Sequence, residues 1–293
     1  MAPPTSPPSS LFPSLPSLPN LTTLLRDTPL IHAALAHAHK HLPAFAYNHV
    51  VRSWLFATLL TQSHPSLKHQ SFDHEVVALA CILHDLAWAP SGAFTSAEKR
   101  FEVDGADGAV AFLAAHAPEG WDDGSAEGGN GVLGGGNKEG TGWEGKGKGC
   151  GEGEGEEEDF VGIRGYKGRK TQRVWDACAL HTTMSVAFEK EPVTAVVATG
   201  IWADFQGPAH TNPPDILITW PEYDAIVQAY PRLGLIGEVK QIMCGLCVTK
   251  PQSTYDNSVG DWGEKFVDGY SRVGHRGVDA LMQFTPELDA RDA

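Results

Sequence analysis

The stretch Leu79-Ala80-Cys81-Ile82-Leu83-His84-Asp85-Leu86 constrains this chain more than any other. An apolar run ends without transition in adjacent His and Asp, two good ligands for a borderline metal ion. A run this apolar is expected inside the protein, where an Asp without a partner costs several kcal/mol. Neighbouring residues on a helix project about 100° apart. Both side chains can therefore converge on one ion in the helix flank, provided other elements supply the remaining ligands.

The partners have to come from other apolar helices. The spacing of Leu30, Ala34, Leu35 and Ala38 predicts a helix from about Thr28 to Lys40. Its histidines, His32, His37, His39 and His41, are spread around that helix and read as structural or solvated. A second helix runs from Ala44 to about Gln62, with Val51, Leu55, Thr58 and Leu59 as its stripe and His49 close beside it. Taken with the downstream pair, His49 becomes a candidate third ligand. The helix carrying His84 and Asp85 is expected from the N-cap Asp73 to about Leu86, with Trp88 able to wall a small cavity.

Residues 96 to 115 read as helical, with Gly105 and Gly108 permitting close approach. A helix from about Thr171 to Thr182 ends at His181, and another from Pro192 to about Phe205 ends at Asp204. An acidic side chain is unfavourable beside the negative end of a helix dipole, so Asp204 calls for a nearby cation or for water. Residues 221–230 and 231–248 read as two more helices, followed by an irregular Gly- and Asp-rich section from Pro251. No alternating strand pattern of any length is present, and the expectation is an all-α fold.

Two stretches fall outside this pattern. Residues 1–20 are dominated by Pro and Ser and read as a disordered tail. Residues 119–159 hold sixteen of the chain's 32 glycines and twelve acidic residues against three lysines. Such a segment buries too little apolar surface to offset its ordering entropy. It reads as a disordered, acidic, Gly-rich insertion within one domain spanning 21–293, because loop closure cost grows only logarithmically with length.

The formal charge of −14 argues against a general nucleic-acid or anionic-membrane binder. No apolar run reaches the roughly 18 residues of a membrane span, and no basic segment with an apolar h-region opens the chain. Five cysteines, an odd number set mostly in apolar stretches, fit a reducing, cytoplasmic setting. Cys244-Gly-Leu-Cys247 reads as a helix face carrying small apolar thiols. Nothing in the sequence speaks to oligomeric state.

The order His49 … His84-Asp85 … Asp204 resembles the HD-domain metalloenzyme superfamily, and most closely its cyanamide-hydratase-like branch of fungal type. The blocks that carry the resemblance are Asn48-His49 with Arg52, Leu83-His84-Asp85-Leu86, Arg100 through Ala106, Ala179 through Thr182, and Gly200 through Gly207. The resemblance implies a helical HD-domain bundle holding one divalent ion through His49, His84, Asp85 and Asp204. Two imidazoles and two carboxylates suit Zn2+ first, with Fe2+ the second choice.

It further implies a hydratase or hydrolase in which a metal-bound hydroxide attacks a small neutral nitrogen compound, cyanamide being the lead substrate and urea its product. His181 would position substrate or shuttle protons, and Lys99 and Asp104 would line the pocket. An HD-type phosphohydrolase is the alternative, although only Arg52, Lys99 and Arg100 lie near the motifs to bind a phosphate. A second alternative is a non-catalytic, metal-stabilised interaction scaffold. An open coordination position separates the enzymes from the scaffold.

Overall fold

The computed structural model describes residues 11–64, 66–122, 168–208, 218–289 and 291. Residues 1–10 of the expected tail and 123–159 of the expected insertion lie outside them. Among the described residues every regular element is helical, as the sequence pattern leads one to expect.

The centre of the bundle is α4 (His74–Leu83), in which every residue from Val76 to Leu83 is buried. A helix apolar all round has to be surrounded. Its neighbours are α2 (Pro29–His41), α3 (Ala44–Ser63), α5 (Phe101–His116), α6 (Arg169–Leu180) and α8 (Pro192–Gln206). Asp73 caps α4 by accepting from the N–H groups of Glu75 and Val76. Glu75 in turn accepts from Thr28 Oγ1 at 2.5 Å and Trp121 Nε1 at 2.7 Å. Thr28 is itself the N-cap of α2, so one carboxylate ties two helix starts together.

The most extensive pairing is between α3 and α8. It depends on Gly200, where an added Cβ would lie 2.6 Å from Ala57 Cβ and 2.7 Å from Ala57 N. Glycine alone allows so close an approach, and it brings Asp204, one turn further along α8, against His49 and Arg52 of α3. Gly105 does the same for α5. A Cβ there would collide with the carbonyl oxygen of His84, so α5 sits directly on the backbone of the His-Asp pair.

Several boundaries differ from the sequence pattern. Residues 11–20, expected in a disordered tail, are packed. Leu15 is buried, and the Phe12 ring lies 5.1 Å from that of His32 and 5.7 Å from that of Trp54. A short helix, α1 (Pro19–Leu24), follows. Apolar side chains at Leu11, Phe12, Leu15 and Leu18 outweigh the local Pro and Ser content by packing on the core. Residues 119–122, expected in the insertion, also belong to the fold, since Trp121 is buried and Asp122 accepts from Thr171 N at 2.9 Å.

Helix α5 begins at Phe101, not near residue 96, because Ser96 N donates to Asp104 and holds the preceding residues in a loop. Helix α4 ends at Leu83, and residues Leu86–Trp88 form a separate 3-10 turn. A short helix α7 (Met184–Ala187) precedes α8, and α9 (Trp220–Ala229) and α10 (Leu235–Thr249) follow it. The section beyond Pro251, expected to be irregular, contains two further helices, α11 (Val259–Phe266) and α12 (Gly277–Asp289). No helix among the described residues is long and apolar enough to cross a membrane.

Candidate metal centre

His84 and Asp85 do not occupy a helix flank; they terminate the central helix. His84 is the C-cap of α4 and its Nδ1–H donates to Cys81 O at 2.8 Å. This satisfies one of the carbonyls a helix end leaves open. Asp85 has left helical geometry, with φ −104° and ψ 24°. His181 repeats the arrangement at the end of α6, where it is the C-cap and its Nδ1–H donates to Cys178 O at 2.6 Å. Two buried helix ends thus present imidazoles held by the same local contact.

His49 comes from the middle of α3, and its Nδ1–H donates to Asp204 Oδ2 at 2.6 Å. Carbonyl and carboxylate oxygens can only accept, so Nδ1 carries a proton in all three rings, and in that tautomer of a neutral imidazole Nε2 keeps its lone pair. These lone pairs face one carboxylate. His84 Nε2 lies 2.9 Å and His49 Nε2 3.5 Å from Asp85 Oδ2, and His181 Nε2 lies 3.9 Å from Asp85 Oδ1. The His84 approach is too poorly directed to be a hydrogen bond. His49 Nε2, His84 Nε2 and both oxygens of Asp85 are buried with no hydrogen-bond partner.

Four electron-pair donors meeting without a proton between them repel one another, and each carries a desolvation cost. A cation removes both penalties. One ligand atom from each of His49, His84 and Asp85 lies within 4.8 Å of the others, a spacing one ion can close at bonds near 2.0–2.1 Å. Burial pushes the His49 imidazole below its ordinary pKa, and that of His181 down to about 4, so both are neutral ligands or bases at pH 7.

Asp204 does not join this set. Arg52 Nε donates to its Oδ1 and Arg52 Nη2 to its Oδ2, each at 2.7 Å, and Arg232 Nη1 reaches Oδ1 at 2.9 Å. With His49 on Oδ2, both oxygens are occupied. Burial opposes ionisation here too, but the hydrogen bonds from His49 and Arg52 bring the carboxyl well below its usual range. The cation that an acidic helix end required is a pair of guanidinium groups. Asp204 is thus placed to fix the tautomer and orientation of His49, as carboxylates behind ligating histidines do.

The two other expected pocket residues lie elsewhere. Lys99 is about half exposed and pairs with Asp107 at 2.6 Å. Asp104 is buried against Lys250 Nζ at 2.7 Å, and the same ammonium binds the carbonyls of Ser96 and Lys99. That pair clamps the loop before α5 to the end of α10. Their position in the motif puts Lys99 and Asp104 at the pocket; the structure pairs them instead with Asp107 and Lys250.

One residue of that motif does approach the centre. Glu102 is buried, its Oε1 accepts from Thr182 Oγ1 at 2.5 Å, and its Oε2 has no partner. Burial raises its pKa and the charge of Asp85 adds to the effect. An acid between Phe101 and Val103, in the first turn of a buried helix, was the available sequence signal. Arg232 gave none, being a lone arginine between Pro231 and Leu233. Trp88 stacks on His49 at 5.8 Å and 18°, and Phe205 and Phe101 lie against His49 and His181 at 4.9 and 5.7 Å. The imidazoles therefore stand in an aromatic wall. The described fold and this cluster define an all-α protein with a buried imidazole–carboxylate centre. No protein-family model matches the chain, and no curated protein matches it.

Proposed function

We propose that His49, His84 and Asp85 hold one divalent ion, Zn2+ by preference, in an HD-domain enzyme that hydrates or hydrolyses a small neutral nitrogen compound, with cyanamide as the lead substrate. The observation that carries this reading is the set of four buried, unpartnered ligand atoms around one point. Three protein ligands leave a tetrahedral ion with an open position, the pattern of catalytic and not of structural zinc. When bound, the ion supplies Lewis acidity that makes water a nucleophile near neutral pH.

The protein's own groups do the rest. The Asp204–His49 hydrogen bond and the Cys81 carbonyl aim two imidazole lone pairs at the ion. His181, neutral and 3.9 Å from Asp85, can take up a proton at Nε2 and return it. Its side chain, like those of His49 and His84, is buried. Burial this complete favours a substrate of few atoms.

The same residues speak against a phosphate ester. Arg52 is consumed by Asp204 and the carbonyls of Tyr230 and Pro231, while Lys99 and Arg100 pair with Asp107 and Asp256. None is left to bind phosphate.

The test is elemental analysis of purified, untagged protein together with urea release from cyanamide. The expectation is metal-dependent urea formation, lost with the metal in Asp85→Ala. Urea formation by metal-free protein, or bound metal with no turnover of cyanamide or other small nitriles, would contradict it.

A further inference from the structure

A second group of histidines lies on the far side of α2, where that helix touches α5. His37 and His41 are four residues apart on α2, and their ring centroids are 4.6 Å apart. Histidines at this spacing project from one helix face and are a recurrent pair of metal ligands. The third ring, His116 in the last turn of α5, has its centroid 6.3 Å from that of His37. Phe94 and Phe112 wall the group, at 5.6 and 5.1 Å from His37.

The available atoms are lone pairs. His116 Nδ1–H donates to Phe112 O at 2.9 Å, which leaves Nε2 as an acceptor. His37 Nε2 is buried and has no hydrogen-bond partner, a cost that nothing in the helix packing repays. Imidazoles sharing one tetrahedral ion at bonds of 2.0–2.1 Å have centroids roughly 5 Å apart. The spacings of His41 and of His116 from His37 bracket that value. The nitrogens have not closed on one point, since among the described residues only the His49, His84 and Asp85 atoms fall within 4.8 Å. Closure takes a rotation of His116, whose exposed ring would leave its stack on Phe112.

We propose that His37, His41 and His116 form a second metal site, taking a late first-row divalent cation such as Zn2+, Ni2+ or Cu2+. Three imidazole ligands select these ions over Mg2+ and Ca2+, which require oxygen ligands. The site lies behind the loop that follows Asp85, because Phe94 of that loop packs on both His37 and His41.

The experiment is a Zn2+ titration of untagged, chelator-stripped full-length protein against a chromophoric competitor, with Mg2+ as a control. Two equivalents are expected. His37→Gln with His116→Gln should weaken the second about tenfold or more and leave the first unchanged. His116→Gln alone, at an exposed ring, should weaken the same equivalent. Asp85→Asn should remove the first and spare the second.

A single equivalent untouched by the His37 and His116 substitutions, or a second equivalent that persists in the double variant, would overturn the proposal. A single equivalent that survives Asp85→Asn but not the double substitution would uphold this site and remove the metal reading of the first.

Discussion

Replacing Asp204 by Asn separates two accounts of the centre, because a ligand and a holder of a ligand fail differently. The carboxylate accepts four hydrogen bonds: two from Arg52, one from Arg232 and one from His49. An amide keeps one oxygen and turns an NH2 towards donors, so at least one of these contacts becomes donor against donor. Arg52, wholly buried, is then left with no anionic partner of its own. Breaking a buried ion pair from one side costs about 3–5 kcal/mol. Arg232 is about 29% exposed and can turn to water, which places the loss towards the lower end of that range. A drop in Tm of roughly 10 °C follows for a domain of this size.

Metal affinity should fall about 10- to 100-fold, the usual effect of losing a carboxylate behind a ligating histidine, and not to zero. Chemical denaturation and zinc titration of the same preparation measure both quantities. Complete loss of metal with little change in stability would show that Asp204 ligates directly and would refute this assignment.

His181→Gln should leave metal content unchanged and lower kcat by about 100-fold or more, the scale of a lost general acid–base group; unchanged turnover would remove His181 from the chemistry. Lys99→Ala should alter stability by less than about 0.5 kcal/mol and leave turnover intact, as an exposed ion pair allows. Asp104→Asn, by contrast, strands the buried Lys250 and should destabilise by about 3 kcal/mol without changing kcat of the folded fraction. A catalytic defect in Lys99→Ala would return that residue to the site. Gly200→Ala gains about 1 kcal/mol of helix propensity, yet the 2.6–2.8 Å contacts with Ala57 should make it a net loss of about 2 kcal/mol. A denaturation midpoint above that of the natural chain would show that α3 and α8 are less closely packed.

The parts of the molecule that were legible in the sequence rest on local pattern. The apolar run into His84-Asp85 announces a buried helix end, and the stripe around His49 announces its neighbour. The all-α class follows from the same periodicity. What escaped was decided by partners distant in sequence. Asp204 looked like a ligand because Arg232, 28 residues further on, could not be seen to reach it. Asp104 looked available because its partner, Lys250, lies 146 residues away.

Helices α11 and α12 were hidden by Gly and Asp content. In α11 the two glycines serve close packing, Gly260 on the Thr254 carbonyl and Gly263 on Tyr270 and Cys247. In the sequence the histidines of α2 read as spread around the helix, whereas the rings of His37 and His41 lie together and the third member arrives from another helix, so no pattern in α2 alone could announce it.

X-ray absorption at the zinc edge, on loaded protein carrying His37→Gln and His116→Gln so that one site remains, tests the centre most directly. Two imidazoles and oxygen ligands at about 2.0–2.1 Å, with no sulfur, are the expected result. Sulfur scattering near 2.3 Å would instead bring Cys81 or Cys178 into the ligand set and contradict the assignment of His49, His84 and Asp85.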